Sequence, residues 1–439
     1  MNRLSLGLAF VLGALGGLAS CSGGSTVPSG DGGPRREGGA SGSGSGSAPI
    51  KDAGRDATHP ADSGGSGSGS DSGRDSGSDA ALDAARDGLV DAGRADAEKD
   101  AHVDARLADA RVDAGVDAGG SGPASCAVTP KAAGTSYCGA SNESCCTSLD
   151  VQGGTYDRTY TNVGSGPTST ADPATISSFR LDKYLVTVAR FRQFRNAVIP
   201  PDGGTPWVPP SGSGKHVHLN SGSGIASVTS PGAFEPGWLA SDDANLVPTD
   251  TNLACTTGYS TWSPTPGDTD PLPINCVNWY EAYAFCIWDG GFLPSEAEWE
   301  YVAAGGANEQ AYPWGATTPG TVNTYAIYSC HYPTGFGGCS GLESIAAVGS
   351  APTGAALGGE LDMAGDVYEW NLDLLGGYVS PCTDCGNVTA PVGTVNRVIR
   401  GGDFQDGPQF LLPAAREDET STGRLDTAGM RCARVPTTG

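Results

Sequence analysis

The sequence predicts an α+β domain with little regular secondary structure, preceded by a long segment of low complexity. Three observations support this fold class. All eight tryptophans lie from Trp207 onward, so a large apolar core can form only in the later part of the chain. The 68 glycines and 30 prolines punctuate the chain densely, which favours short elements and long loops. Only three stretches place apolar residues at helical spacing.

Residues 1–21 have the pattern of a bacterial lipoprotein export signal. Arg3 precedes an apolar run over 4–18, which is too short to span a membrane comfortably. The run ends in Leu18-Ala19-Ser20-Cys21, which is similar to the lipobox, where the cysteine becomes the first mature residue and carries lipid. We expect Cys21 to anchor the protein in the membrane of the cell envelope, at the outer membrane or cell surface. An ordinary signal peptide ending near a cysteine is the alternative.

Residues 22–125 form a linker rich in Gly, Ser, Ala and Asp. Gly-Ser alternation gives way to Asp-Ala repeats such as Asp109-Ala110-Arg111-Val112-Asp113-Ala114. Such a composition has too little apolar surface to offset the entropy of ordering a chain, so we expect a disordered tether. Calcium binding by these repeats is the alternative, but they lack the Gly-Gly-x-Gly-x-Asp pattern of calcium β-rolls.

The formal net charge of −24 excludes one class of partner. An acidic chain is repelled by nucleic-acid phosphates, so binding to DNA or RNA is not expected.

Cysteine usage predicts disulfides. Of the thirteen cysteines, twelve remain after Cys21, an even number that favours bridges in an exported protein. Four of them fall in 126–150, which we expect to be a cysteine-rich lead-in, with three alternative pairings left open. Cys330 and Cys339 are expected to close a local loop. Metal or redox chemistry is the alternative for Cys382-x-x-Cys385, but no second such motif or histidine pair lies at zinc-finger spacing.

The three predicted helices each have a start signal. The first follows Thr187, and the second begins after Asn278, whose side chain can cap it. The third begins with the capping box Ser295-x-x-Glu298 and ends at Gly305.

Seven segments within 151–439, which we take as the main domain, together resemble the formylglycine-generating enzyme (sulfatase-modifying factor) family. Leu293-Pro294-Ser295-Glu296-Ala297-Glu298-Trp299-Glu300-Tyr301 is nearly the hallmark string of that family. In the family's order, the segments are 179–187, 273–282, 293–301, 312–315, 363–370, 400–404 and 429–434. The resemblance implies a C-type-lectin-like α+β fold.

The resemblance also implies a copper site, which this sequence does not supply. In the family's enzymes two cysteines follow the Arg-Gly-Gly segment, bind copper and serve to oxidise a cysteine of a sulfatase. Thiolates are needed because soft sulfur stabilises Cu(I). Here the two positions fall on Asp406 and Leu411, and no cysteine lies between Cys385 and Cys432. We therefore do not expect copper binding or formation of formylglycine.

Calcium is the cofactor that the resemblance does allow. The implied ligands are Asp362, the carbonyls of Gly365 and Val367, and Glu369. Such hard oxygen donors suit calcium, and an acidic turn without metal is the alternative. A weaker second site would use Asn323 and the Thr324 carbonyl, with Ser340 near a position where a carboxylate is expected. By the same resemblance, a disulfide joins Cys286 in the central helix to Cys432 in the last strand.

Two other sets of residues could carry chemistry. His216-x-His218 with a carboxylate could form an iron site, since related domains occur in ergothioneine-forming iron enzymes. Those enzymes take their ligands mainly from an added helical domain that this chain lacks, so iron is not expected. We expect an exposed Gly/Ser/Pro-rich loop around the two histidines. Asp403 and Asp406 could form an acid–base pair, with solvated carboxylates as the alternative.

The sequence leaves two functional hypotheses. In the first, the domain is non-catalytic or divergent and binds a peptide or glycan in the groove that family enzymes use for substrate. In the second, it is a metal-dependent oxidoreductase of the sulfatase-modifying or another type, with a rebuilt active site.

Overall fold

A computed structural model of the chain describes residues 122–335, 337–389 and 395–437. The predicted export signal, Cys21 and almost the whole of the predicted linker lie outside the described residues. No helix among the described residues is long and apolar enough to cross a membrane.

The domain is α+β with short elements. The helices are α1 (Val188–Val198), α2 (Asp250–Leu253), α3 (Trp279–Trp288) and α4 (Glu296–Ala303). The strands are β1 (Ser148–Val151), β2 (Gly154–Asn162), β3 (Pro167–Ile176), β4 (Phe179–Asp182), β5 (Ala226–Ser227), β6 (Tyr368–Leu374), β7 (Cys382–Thr383), β8 (Cys385–Gly386), β9 (Asn396–Arg400), β10 (Glu417–Thr420), β11 (Ala428–Gly429) and β12 (Ala433–Arg434).

The three helices expected from the sequence are confirmed, together with their caps. Thr187 accepts a hydrogen bond from the Arg190 backbone N–H at the start of α1. Asn278 and Ser295 each form a capping box with the glutamate three residues later. These local hydrogen bonds satisfy N–H groups that a helix start leaves free, which explains why sequence alone located them.

The strands form small sheets that join distant parts of the chain. One sheet has the order β1-β4-β12 and another the order β10-β9-β6-β11. In the second, Glu369 of β6 lies opposite Arg400 of β9, and β6 is buried on both faces. The long antiparallel β2–β3 hairpin was not expected from the sequence, which indicated only short strands.

Two large apolar clusters hold the helices against the sheets. The first packs α1 and α3 against β6 through Phe191, Phe285 and Trp370. The second packs α4 against the β2–β3 hairpin through Trp299 and Tyr156. Together they fix the strand ends from which the candidate site emerges.

Residues before 151 pack into the domain instead of merely leading to it. Strand β1 pairs with β4, so the sheet begins at Ser148. Arg190 of α1 donates to the Ser125 hydroxyl at 2.9 Å and to the Cys145 carbonyl at 3.1 Å. The cysteine-rich segment is therefore part of the hydrogen-bonded core.

Arg190 belongs to a buried group of four charges, which we call the ionic core: Asp182, Arg190, Asp289 and Arg434. Nη2 of Arg190 lies 3.0 Å from Asp182 and 2.7 Å from Asp289. Nε and Nη2 of Arg434 contact the same two carboxylates at 2.9 and 2.8 Å. Each buried carboxylate thus meets two guanidinium groups, which offsets the cost of removing it from water.

Candidate functional site

The 401–411 loop leaves the end of β9 and carries the positions that the resemblance assigned to copper thiolates. Gly401 and Gly402 turn the chain with φ of 103° and 72°. A Cβ on Gly402 would lie 3.0 Å from the Phe410 carbonyl oxygen, so the loop folds back closely on itself there. The turn places Asp403 and Asp406 near the hydroxyl of Tyr368.

Asp406 and Leu411 have different surroundings. Tyr368 donates a short hydrogen bond to Oδ2 of Asp406, which is partly exposed. Leu411 is 1% exposed and packs with Tyr328 and Ala364. A hydrogen-bonded carboxylate and a buried isobutyl group thus occupy the two positions that the resemblance assigned to sulfur ligands.

Asp403 is more deeply buried than Asp406, with only 5% of the residue exposed. Its Oδ1 accepts hydrogen bonds from the backbone N–H of Gln405 at 2.6 Å and of Asp406 at 2.9 Å. Burial raises the pKa of Asp403 to about 7, and the charge of Asp406 adds to the rise. Among the described residues, neither carboxylate forms an ion pair with a basic side chain; the buried arginines nearby pair with Glu296 and Glu369.

Stacked aromatic rings flank Leu411. The rings of Tyr312 and Trp314 are nearly parallel with centroids 5.0 Å apart, and Tyr325 stacks on Trp314 at 5.3 Å. Tyr312 and Trp314 are half-buried and pack against the cluster that contains Leu411. One side of the candidate site is therefore aromatic and the other is acidic.

Every cysteine in the described part of the chain is in a disulfide. The bridges are Cys126–Cys146, Cys138–Cys145, Cys255–Cys276, Cys286–Cys432, Cys330–Cys339 and Cys382–Cys385. Two of these bridges, Cys286–Cys432 and Cys330–Cys339, are the pairs named from the sequence. In the cysteine-rich lead-in, the structure contains one of the three alternative pairings. Bridges in this number are typical of proteins that fold outside the reducing cytosol. They also leave no free thiol among the described residues to bind copper.

The 360–369 turn holds the residues named for calcium. Gly349 N–H donates to Oδ2 of Asp362 at 2.6 Å. Both carboxylate oxygens of Glu369 accept from Arg431, at 2.6 and 2.8 Å. Burial raises the pKa of Asp366 well above its usual range, and the charge of Asp362 raises it further. The turn thus offers hard oxygen donors that fit calcium, with Glu369 already engaged in an ion pair.

The second set named for calcium is less complete. Nδ2 of Asn323 donates to the His331 carbonyl at 3.1 Å, while its Oδ1 is buried without a partner. Thr324 is exposed, and Ser340 donates its backbone N–H to the Ser344 hydroxyl. Among the described residues, no group of three or more His, Cys, Asp or Glu side chains is arranged to hold a metal ion.

The expectation of an exposed histidine loop is wrong for His216, which is 0% exposed. Its Nδ1 lies 3.0 Å from Glu235 and its Nε2 lies 3.0 Å from Glu298. Burial opposes the charged imidazole, but the two carboxylates outweigh it and raise the pKa of His216 to about 10. With both ring nitrogens occupied, His216 is not available to a metal. The sequence showed Glu298 only as a capping residue, and nothing in it indicated Glu235.

Comparisons with known proteins agree with this architecture. The model of the FGE-sulfatase family, a sulfatase-modifying factor enzyme 1-like domain, matches residues 137–436. Formylglycine-generating enzyme of Thermomonospora curvata is 29% identical over 299 residues, covering 65% of this chain and 90% of that protein. Formylglycine-generating enzyme of Bos taurus is 31% identical over 173 residues, covering 38% of this chain and 46% of that protein. The match to the bovine enzyme thus spans less than half of its length.

Hercynine oxygenase of Mycobacterium tuberculosis is 33% identical over 170 residues, covering 37% of this chain and 36% of that protein. The matches thus include proteins named for two different reactions. The family model covers more than half of the chain, including all seven segments whose resemblance to the family was noted in the sequence. The chain therefore belongs to the sulfatase-modifying factor enzyme 1-like domain family.

Proposed function

We propose that this protein is a ligand-binding member of its family, anchored in the cell envelope through lipid on Cys21, and that it does not oxidise cysteine with copper. One observation carries the proposal: the implied thiolate positions are a hydrogen-bonded Asp406 and a buried Leu411. The disulfides support it, because they occupy every described cysteine. Carboxylate oxygen is a hard donor and an alkyl group is no donor, so this pair does not suit Cu(I).

The ligand that fits best is a peptide with a positively charged side chain. Asp403 and Asp406 form a carboxylate pair with no basic partner among the described residues. Aromatic rings beside a site attract cations through their negative faces, and Tyr312 and Trp314 supply such rings near Leu411. A neutral glycan can donate hydroxyl hydrogen bonds to these carboxylates but leaves their charge uncompensated, which is why a cationic peptide is favoured.

The first experiment tests the loss of copper chemistry. The purified full-length protein is titrated with Cu(I) under anaerobic conditions, and oxygen uptake is then followed with a cysteine-containing sulfatase-type peptide. We expect no stoichiometric copper and no uptake. A double variant, Asp406→Cys with Leu411→Cys, is expected to gain copper binding after mild reduction. One equivalent of Cu(I) on the native protein, with peptide oxidation, would contradict the proposal.

The second experiment tests the charge of the ligand. An acetylated Gly-Ser-Lys-Ser-Gly peptide and its Glu-for-Lys counterpart are titrated calorimetrically into the full-length protein at low salt. We expect only the lysine peptide to bind, and Asp406→Asn to weaken it about tenfold, which is about 1.4 kcal/mol. Asp268→Asn, which removes an exposed carboxylate from another loop, is the matched control. Equal binding of both peptides, or binding of chitohexaose instead, would overturn a cation-selective site.

The alternative function is an enzyme with a rebuilt centre. Its support is Asp403, because a buried carboxyl with a pKa of about 7 is suited to acid–base catalysis near neutral pH. If the protein turned over a substrate with a rate that depended on Asp403 and on one ionisation near pH 7, this function would replace simple binding.

We further propose that calcium binds at the 360–369 turn and acts as a structural ion. The support is the family membership together with the buried oxygen donors of Asp362 and its neighbours. Such an ion would hold the turn where it runs into β6, the strand that presents Tyr368 to Asp406.

A further inference from the structure

The 360–369 turn contains a buried carboxylate oxygen that has no partner. Asp366 is 1% exposed, and its Oδ2 accepts no hydrogen bond from any described residue. We propose that Asp366 joins Asp362 as a carboxylate ligand of the cation at this turn, an inference that rests on the calcium binding proposed above. Asp366 is outside the ligand set that the family resemblance implied.

Hydrogen bonds tie the two carboxylates to one short loop, and the charge of Asp362 acts on Asp366. Ala346 donates its backbone N–H to Oδ1 of Asp366 at 3.0 Å, and Gly349 donates to Oδ2 of Asp362 at 2.6 Å. The two donors are three residues apart on one short loop, so both acids are held against the same segment. Each is oriented through one oxygen, and Oδ2 of Asp366 remains as a fixed, unpaired acceptor.

The charges around the turn do not neutralise Asp366. Arg431, whose guanidinium contacts this turn, gives Nε and Nη2 to Glu369. The same side chain also donates to the carbonyls of Leu361 and Asp362, so its hydrogen bonds are committed. Glu360 adds a further buried carboxylate, with neither oxygen partnered. Asp366 and Glu360 are thus buried without a salt bridge among the described residues, and a buried carboxylate charge is unfavourable unless a cation or a proton compensates it.

Calcium is better suited than a proton to compensate these buried carboxylates. It takes six to eight oxygens, which two carboxylates, backbone carbonyls of the turn and water can supply without a third acidic ligand. Glu369 can then keep its two hydrogen bonds to Arg431. The proposed ligand set therefore differs from the one that the resemblance implied in one residue: Asp366 takes the place of Glu369.

The test compares the full-length protein with Asp366→Asn. After dialysis against EDTA, each is titrated with CaCl2 by calorimetry, and thermal unfolding is followed with and without calcium. The wild type is expected to bind calcium and to unfold at a higher temperature in its presence. Asp366→Asn is expected to raise the Kd at least tenfold. In EDTA it is expected to unfold at the same or a higher temperature than the wild type, because it removes an uncompensated charge.

Asp268→Asn is the control and should leave the calcium affinity unchanged. Comparing variants is decisive because the acidic repeats before residue 122 could also take up calcium. If the wild type binds no calcium, the proposed calcium site fails as a whole. If the wild type binds calcium and Asp366→Asn binds it equally well, or is less stable than the wild type in EDTA, only the role of Asp366 is overturned.

Discussion

The ionic core and the 401–411 loop both bury aspartates, but they treat them differently. In the ionic core, Asp182 and Asp289 each contact two arginines. In the loop, Asp403 and Asp406 accept hydrogen bonds from backbone N–H groups and from hydroxyl groups, and neither contacts a guanidinium among the described residues. Where buried acids stabilise the fold, as Asp182 and Asp289 do, this chain pairs each of them with two arginines. Carboxylates left without a cation are therefore the ones to examine for function.

Replacing Asp289 with Asn should have the largest effect. It leaves Arg190 and Arg434 short of a counter-charge, and breaking a buried pair in this way costs about 3–5 kcal/mol. Burial alone would raise the pKa of Asp289, but Arg190 and Arg434 lower it below 3.8. The stabilisation is therefore present above the unfolded pKa and is lost as the pH falls through the folded pKa. Urea unfolding at pH 7 checks the magnitude; a loss under about 1 kcal/mol would contradict the assigned role.

The next effect concerns His216, whose imidazole joins two carboxylates. His216→Gln should cost about 3 kcal/mol at pH 6, because Glu235 and Glu298 lose their shared cation. The folded pKa of about 10 lies above the usual 6.5, so this stabilisation is complete below about pH 6.5 and disappears as the pH rises through 10. Unfolding of both proteins at pH 6 and pH 10 measures the difference. A gap that stayed constant across this range would argue against a charged His216.

Replacing Asp403 in the 401–411 loop should stabilise the protein, whereas the replacements of Asp289 and His216 destabilise it. The folded pKa of Asp403, about 7, lies above the unfolded 3.8, so the folded protein holds the proton more tightly. Stability should therefore fall as the pH rises from about 4 through 7. Asp403→Asn removes this dependence and should stabilise the protein by up to about 4 kcal/mol at pH 8, with little change at pH 4. Destabilisation at pH 8 would mean that the charged carboxylate holds the fold together.

The smallest effect is expected at the surface of the loop. Asp406→Asn keeps an acceptor for Tyr368 and should change the free energy of unfolding by about 0.5 kcal/mol or less. The larger effect of Asp406→Asn should be on the affinity for the lysine peptide. A stability loss comparable with that of Asp289→Asn would erase the distinction between the two regions.

Local signals explain which parts of the fold the sequence could predict. The helix starts at Thr187, Asn278 and Ser295 depend on side chains that bond within three residues, so their pattern is visible in the sequence. The β2–β3 hairpin is different, because its exposed strand β3 has little apolar alternation. Its position depends on packing against α4, far along the chain.

The candidate site was predictable only in part. The absence of cysteines at Asp406 and Leu411 is a property of the sequence, whereas the hydrogen bond from Tyr368 and the burial of Leu411 are seen only in the structure. The contacts of His216 with two carboxylates could not be predicted from the sequence, because Glu235 and Glu298 lie 19 and 82 residues away from it. Likewise, the unpartnered Oδ2 of Asp366 becomes apparent only when the loop carrying Ala346 is placed beside it.

The contact between Ser125 and the ionic core has a mechanical consequence. Ser125 donates its N–H to Asp289 at 2.8 Å, and the next residue is bridged to Cys146. Tension arriving from the N-terminal side would load these two attachments before any strand of the domain. The covalent bridge would bear the force, so tension on that side should leave the 401–411 loop undistorted.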